Sequence, residues 1–192
     1  MLIIPAIDLL NGKCVRLFQG NYKKETIYDN NPLEVAAKWI SYGIERLHII
    51  DLDGAKAGYP KNIDIISDLL IKHSIEAVII SNTTDKNREN LSNINKLEKG
   101  GLSGKPLEKR SNELINKFYK ILKNKIKIIG VGGVDSGHSA YQKIINGASL
   151  VQIYTGMIYQ GPSIATKISQ ELINILEKEG IKNISDVVGS KN

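Results

Sequence analysis

The sequence has little of several things that define particular classes of protein. It has one cysteine, Cys14, so no disulfide can form within the chain, and a reducing compartment such as the cytoplasm is expected. No apolar run approaches the roughly 18 residues that cross a bilayer. Pro5 and Asp8 interrupt the N-terminal apolar stretch and no basic segment precedes it, so a secretion signal is not predicted.

Clustered arginines with interleaved aromatic residues, which are typical of nucleic-acid binding, are also scarce: aromatic residues make up 6% of the chain. The net charge of +6 lies wholly in residues 61–192, which hold nineteen Lys/Arg and thirteen Asp/Glu, against seven of each in residues 1–60. We attribute this excess to solvated helix faces, and binding of nucleic acid is not predicted.

What the sequence does contain is an alternation of short apolar runs and amphipathic segments. The apolar runs predict buried parallel strands at residues 2–7, 47–51, 77–81, 126–131 and 149–154. The segments between them predict helices that begin near Pro32, Asn62, Ser111, Gly137 and Pro162. This alternation predicts an α/β fold made of parallel βα units. A closed barrel of eight units needs about 250 residues, so about five units predict a partial barrel or an open sheet.

One long segment interrupts this alternation. Residues Asp85 to Arg110 are polar, rich in Asn and Lys, and punctuated by glycine. The segment is interpreted either as a functional loop or as a disordered one. Its "GGLSG" stretch would allow the backbone to approach a ligand closely.

Aspartates follow the first two apolar runs, where ligands bind in folds of this kind. Asp8 after the first run is a candidate general acid or base, with a turn or cap residue as the alternative. Asp51 ends the second run and Asp53 follows it, and the two are expected to point to the same side if the strand continues that far. The three histidines of the chain, at positions 48, 73 and 138, are scattered, so no metal site is predicted.

The last three apolar runs end in uncharged polar residues and glycines. Ser81, Asn82 and Thr83 offer hydrogen bonds to an uncharged ligand edge. The fourth run ends in "IIGVGGVDSG" (residues 128–137), whose glycines let main-chain N–H groups face an anion. Tyr154 ends the fifth run, and Thr155 follows it. Two neighbouring strand-to-helix loops of this kind predict a phosphate site.

These motifs resemble two known families. Residues 1 to about 62, with "IPAIDLLNGKCVRLFQG", "WISYGIERLHIIDLDGA" and "AGYPKN", resemble the first two βα units of the phosphoribosylformimino-aminoimidazole carboxamide ribotide isomerase of histidine biosynthesis. Residues from about 64 to 192, with "IEAVIISNTT", "GGLSGKPL", "IIGVGGVDSG", "GASLVQIYTG" and "GPSIATKISQEL", resemble the last three units of class 2, quinone-linked dihydroorotate dehydrogenase, a flavoprotein of pyrimidine biosynthesis. Both are TIM-barrel families, so the chain looks like a chimera packed as one domain.

Each resemblance implies roles for particular residues. Asp8 matches the catalytic aspartate of the isomerase. The dehydrogenase positions that contact the flavin mononucleotide (FMN) match Ser81, Gly104, Gly133, Tyr154 and Thr155. Asn82 and Thr83 match its substrate contacts. The dehydrogenase's catalytic serine, flavin-contacting lysine and N-terminal membrane-associating helices match no segment here. The resemblance therefore implies a domain that binds FMN or another phosphate ligand, does not oxidise dihydroorotate to orotate, and has no membrane contact.

Two alternatives remain open from the sequence. The first is an isomerase that uses Asp8, with Asp51 as a possible stand-in for the second acid–base group. The second is a fused or engineered barrel fragment without catalysis. In every case five units leave sheet edges exposed, which predicts a homo-oligomer.

Overall fold

The computed structural model describes residues 4–73, 75–84, 88, 91, 92, 94–98 and 100–192. The chain divides into two compact units, Met1–Ser74 and Ile75–Asn192, called here the N-terminal and C-terminal units. The boundary between the two units lies after the helix that begins at Ile63. The boundary between the two resemblances, near residue 62, lies before that helix. Packing as one domain stays a prediction.

The N-terminal unit is built on a four-stranded mixed sheet. Its strands are β1 (Ala6–Leu10), β2 (Lys13–Phe18), β3 (Asn21–Asp29) and β4 (His48–Asp51), in the order β3-β2-β1-β4. β4 is parallel to β1, and the other pairs are antiparallel. The helices are α1 (Pro32–Ser41), α2 (Leu52–Ala57) and α3 (Ile63–Lys72).

The strands β2 and β3 were not predicted, and the first strand was placed too early. Leu2 and Ile3 of the predicted strand lie outside the described residues, and β1 begins at Ala6. The turn at Asn11 and Gly12, with φ of 52° and 74°, returns the chain antiparallel to β1. Asp8 therefore lies within a strand that continues to Leu10, not after its end.

Alternation along β1 divides its side chains between the two faces of the sheet. Ile7 and Leu9 are buried with Cys14, Ala36 and Leu69 in the core under the helices, whereas Asp8 lies on the other face. The predicted start of α1 is confirmed: Pro32 is its first residue. Its cap is a hydrogen bond of 3.2 Å from the Leu33 N–H to the side chain of the preceding asparagine.

The C-terminal unit is built on a parallel three-stranded sheet. Its strands are β5 (Ala77–Ile80), β6 (Lys127–Val131) and β7 (Leu150–Gln152), in that order. Its helices are α4 (Glu108–Leu122), α5 (Gly137–Ile145), α6 (Thr155–Gln160) and α7 (Ile164–Lys178). Short 3₁₀ turns lie at Ile94–Leu97, Lys105–Leu107 and Ile184–Val187. The parallel strands of both units begin five βα units in two open sheets, which confirms the predicted fold class.

Several local predictions for this unit are wrong. α4 begins at Glu108 after Leu107, so Ser111 is a buried residue of the helix instead of its cap. The fifth strand ends at Gln152, two residues earlier than predicted. The short helix α6, which begins at Thr155, was not predicted. Of the segment Asp85 to Arg110, residues 85–87, 89, 90, 93 and 99 lie outside the described residues.

The helices of this unit cover one face of its sheet. Ile80 and Ile128 on that face are buried. The opposite face carries a row in register, Ile79, Ile129 and Leu150, of which Ile79 is 59% and Leu150 is 60% exposed. The prediction that these strands are buried therefore holds for one face of the sheet and is wrong for the other. Among the described residues, no helix is long and apolar enough to cross a membrane.

Candidate functional site

The segment that leads into α4 is attached to the loop after β5. Thr84 and Leu102 exchange main-chain hydrogen bonds of 3.2 and 2.6 Å. Arg110 donates a further hydrogen bond of 3.1 Å to the Thr84 hydroxyl. A side chain at Gly101 would overlap Thr83, so the glycine lets the two stretches lie in contact. The residues that follow Leu102 are thereby held at the carboxyl end of the parallel sheet.

The same segment contacts the first residue of α6. The Thr155 hydroxyl donates a hydrogen bond of 2.9 Å to Ser103 Oγ. Gly104 has a φ of 78°, and a Cβ placed on it would lie 2.9 Å from Thr155 Cγ2. Any larger residue at position 104 would meet both backbone strain and a steric contact. Gly104 and Thr155, which lie far apart in the sequence, are therefore neighbours in the fold.

The glycine turn after β6 lies against the first turn of α4. Gly133 has a φ of 77°, and a Cβ on it would lie 2.6 Å from Glu108 Cβ and 2.8 Å from Glu108 Cα. This contact joins the turn to the helix that begins four residues after Gly104. Gly104, Gly133 and Thr155 thus belong to one rim of the C-terminal unit, which we call the glycine rim.

An ion-paired lysine crosses the glycine rim. Lys105 Nζ lies 2.8 Å from Glu108 Oε2 and 3.1 Å from Asp135 Oδ1. The hydrogen bond to Glu108 raises the pKa of Lys105. Burial alone would raise the pKa of Asp135, but the hydrogen bonds from Lys105 and Ser139 lower it below its ordinary value. At neutral pH Lys105 and Asp135 are therefore charged, and the two contacts of Lys105 tie the loop after β6 to the start of α4.

Several main-chain N–H groups of the glycine rim have no hydrogen-bond acceptor among the described residues. Within the part of the chain that the structure describes, the main-chain N–H groups of Gly104, Gly133 and Thr155 donate to no protein acceptor. Thr155 is the first residue of a helix, where N–H groups have no partner within the helix. Donors of this kind suit an anion, because a negative charge can accept several of them at once.

The remaining predicted residues of this unit lie beside the glycine rim. Ser81, Asn82 and Thr83 directly follow β5, and the Asn82 side chain accepts a hydrogen bond of 2.7 Å from the Thr83 N–H. Tyr154 precedes α6, and its side chain is 72% exposed. Ser81 and Asn82 are partly or fully exposed. Their polar groups are thus open to a ligand at the carboxyl end of β5.

Asp8 and Asp51 do not form the acid–base pair that the isomerase alternative requires. Asp8 is in register with Ile50 on β4, so Asp51 lies on the opposite face of the sheet from Asp8. Asp51 instead accepts hydrogen bonds from the N–H groups of Gly54, Lys61 and Asn62 and from the Asn62 amide group. The interpretation of Asp51 as a second acid–base group beside Asp8 is therefore wrong.

Asp53, which follows Asp51 by two residues, has a structural role too. Asp53 accepts hydrogen bonds of 2.6 Å from the Asn11 N–H and 2.9 Å from the Asn62 amide group. It lies in α2, because β4 ends at Asp51, so the expected strand alternation does not place it. Among the described residues, no group of three or more His, Cys, Asp or Glu side chains could hold a metal ion.

Two further side chains that contact the segments around the glycine rim were not predicted from the sequence. Ser103 stands in "GGLSG" directly before Gly104, and its position next to a proposed phosphate glycine could have identified it. Lys143 lies three residues after Ala140 and one before Ile144, both buried, so the apolar face of α5 could have drawn attention to it.

Comparisons with known proteins match both parts of the chain. A family model described as dihydroorotate dehydrogenase matches residues 59–176. A second model, described as histidine biosynthesis protein, matches residues 2–82. The two matches overlap over residues 59–82, and the predicted division between the two resemblances falls inside this overlap. Both resemblances inferred from the motifs are therefore confirmed.

Individual relatives match the dehydrogenase part. The quinone-type dihydroorotate dehydrogenase of Deinococcus radiodurans is 40% identical over 131 residues, which is 68% of this chain and 35% of that protein. The enzyme of the same name from Trichodesmium erythraeum is 44% identical over 140 residues, 68% of this chain and 36% of that protein. The chain thus spans about a third of the length of the curated relatives it matches.

Solved structures agree with the sequence relatives. A ligand-free DHODH from Eimeria tenella has a TM-score of 0.66 and 38% identity, covering 68% of this chain and 36% of that one. The same enzyme in complex with ferulenol has a TM-score of 0.65 and 39% identity, covering 67% and 34% of the two chains.

Proposed function

This chain belongs to the dihydroorotate dehydrogenase family through residues 59–176, and from that premise we propose that its C-terminal unit binds the phosphate group of FMN at the glycine rim. The observation that carries the proposal is that three main-chain N–H groups without an acceptor among the described residues, those of Gly104, Gly133 and Thr155, lie on loops that hydrogen bonds and close packing hold together. When bound, FMN supplies a ring system that accepts a hydride.

The residues of the glycine rim suit a phosphate dianion in two ways. Gly104 and Gly133 both have positive φ values, 78° and 77°, which orient their peptide groups as only glycine readily allows. Thr155 adds an N–H at the start of α6. We assign the phosphate to Gly104, Gly133, Tyr154 and Thr155.

The polar residues after β5 are assigned to the rest of the ligand. Ser81 is proposed to contact the flavin, and Asn82 and Thr83 to contact a substrate beside it. Their exposure and their position directly after the strand support this assignment. Neutral hydroxyl and amide groups both donate and accept, which suits the edges of planar heterocycles.

A flavin titration tests the proposal. The purified chain should quench FMN fluorescence in a saturable way, and inorganic phosphate should compete. Thr155→Val and Ser103→Ala, which each remove one partner of the hydrogen bond across the rim, should weaken FMN binding about fivefold, as expected for about 1 kcal/mol. Ser169→Ala on the exposed side of α7 is the matched control and should leave affinity unchanged. An unmodified chain that leaves FMN fluorescence unchanged would refute the proposal.

We further propose that these 192 residues bind FMN without oxidising dihydroorotate, because none of their segments matches the one that carries the family's catalytic serine. The test is a dye-reduction assay with dihydroorotate on the FMN-loaded chain. Saturable dye reduction that depends on dihydroorotate would contradict this proposal and leave the binding proposal intact.

Ribotide isomerisation is the second candidate function, and the match of residues 2–82 to the histidine biosynthesis model favours it. Asp8 would be its acid–base residue. Its two register partners, Val15 and Ile50, are apolar, so the sheet places no second acid or base directly beside it. An isomerase assay with Asp8→Asn decides: turnover that this substitution leaves unchanged would exclude a role for Asp8.

A further inference from the structure

A fully buried lysine lies beneath the glycine turn after β6. Lys143 in α5 is 0% exposed. Its Nζ donates hydrogen bonds of 3.0 Å to Ser111 Oγ and 3.0 Å to Asn112 Oδ1, both on α4. No carboxylate of the described residues forms an ion pair with it. A buried lysine held only by neutral acceptors costs stability, so its presence calls for a compensating role.

The contacts of Ser111 give the hydrogen bonds a fixed direction. Its hydroxyl donates to the carbonyl oxygen of Val131 at 2.5 Å. A serine hydroxyl has one proton, and that proton is used on Val131, so Ser111 can only accept from Lys143. The result is a chain of hydrogen bonds from the Lys143 ammonium through the Ser111 hydroxyl to the Val131 carbonyl. A charged donor at its start polarises the hydroxyl and strengthens the second bond.

Glycines at the end of β6 leave room for the side chains of Lys143 and Ser111. Val131 is the last residue of β6 and directly precedes Gly132 and Gly133. A Cβ on Gly130 would lie 3.1 Å from Lys143 Cδ, so the stem of the lysine passes over that glycine. A Cβ on Gly132 would lie 3.4 Å from Ser111 Cβ. Both neighbours of Val131 are thus in contact with the lysine–serine pair.

We propose that Lys143 is a positioning residue for the glycine rim: through Ser111 it fixes the Val131 carbonyl and so sets the orientation of the peptide groups at Gly132 and Gly133. This inference rests on the proposed binding of a phosphate by Gly133. Because the peptide plane that carries the Val131 carbonyl also carries the Gly132 N–H, holding the carbonyl fixes the first step of the turn. Lys143 itself is buried and does not touch the ligand.

The test compares FMN affinity in the full chain for Ser111→Ala, Lys143→Met and the double variant. Each single substitution should weaken FMN binding about fivefold, the effect of about 1 kcal/mol. The double variant should bind as weakly as the weaker single one, because both remove the same chain of hydrogen bonds. Ile126→Val, at a buried residue directly before β6 and away from the glycine turn, is the control for general core damage and should change affinity less than twofold. Additive losses in the double variant would overturn the proposal.

A second measurement needs no ligand. The carbonyl ¹³C resonance of Val131 reports its hydrogen bond. Ser111→Ala and Lys143→Met should each shift this resonance together with the amide resonances of Gly132 and Gly133. Ile126→Val should leave these resonances unchanged. If Lys143→Met fails to melt cooperatively, Ser111→Ala alone decides, since it deletes a single oxygen atom. An unchanged Val131 resonance overturns the proposal. If the resonances move but the unmodified chain does not bind FMN or phosphate, the phosphate proposal fails and the role of Lys143 in binding fails with it.

Discussion

Replacing Lys143 by methionine should change how the stability of the protein depends on pH. Burial lowers the pKa of Lys143 from 10.5 to about 8. Among the described residues, Glu108 opposes this effect, and Glu108 is itself paired with Lys105. One pKa unit corresponds to about 1.4 kcal/mol. The folded protein should therefore be about 3 kcal/mol more stable, through this one group, above pH 10.5 than below pH 8.

The sign follows from proton binding. Between pH 8 and 10.5 the unfolded chain holds the Lys143 proton and the folded chain does not, so the free energy of unfolding rises with pH in this interval. The stability gained above this interval is lost again as pH falls through about 8. Loss of the two hydrogen bonds in Lys143→Met adds a destabilisation of about 1 to 3 kcal/mol per unsatisfied acceptor, which does not vary with pH.

Guanidinium unfolding of both proteins at several values between about pH 7 and about pH 10 measures this effect. Other groups titrate in the same interval, and the difference between the two proteins cancels them. The free energy of unfolding of the unmodified protein minus that of Lys143→Met should increase by about 2 to 3 kcal/mol from the lowest to the highest of these pH values. Lys117→Met, which replaces an exposed lysine on α4, should show a constant difference. If the difference in free energy of unfolding between the unmodified protein and Lys143→Met also stays constant with pH, the argument that the lysine is buried with its charge is refuted.

Three further predictions concern other parts of the chain. Gly133→Ala should abolish the quenching of FMN fluorescence, because its φ of 77° and the contact of 2.6 Å with Glu108 leave no room for a methyl group. Asp51→Asn should lower the free energy of unfolding of the N-terminal unit by about 2 kcal/mol in denaturant titrations, because the carboxylate accepts four hydrogen bonds. The hydrogen bond to Glu179 raises the pKa of Tyr141 from 10.0 to about 12, so its stabilisation is lost as pH rises through this range, and Tyr141→Phe should melt with a weaker alkaline dependence.

Much of the parallel framework could be predicted from the sequence, because it depends on local signals. The strands β5 and β6 are short runs rich in isoleucine and valine, and Ser81 and Gly132 mark their carboxyl ends. The glycine turn at Gly132 and Gly133 could be placed for the same reason. The hairpin was missed even though Asn11 and Gly12 are its strongest local indication, because β3 is exposed and lacks an apolar alternation.

What could not be predicted depends on contacts between distant residues. Lys143 and Ser111 are 32 residues apart, and only the packing of α5 against α4 shows that the lysine ends on a hydroxyl. The placement of Asp51 depends on its register with Leu9, which no local pattern of the sequence reveals. Self-association and a cytoplasmic location stay predictions.

The outer strand of the four-stranded sheet bears on how the protein behaves at high concentration. β3 forms the edge of that sheet, and Lys23, Lys24 and Glu25 in it are exposed. Another strand that added to this edge would have to remove these charges from water, which is a known protection against fibrillar aggregation. Concentrated solutions should therefore resist growth of fibres from this edge, and any oligomer should assemble through a different surface.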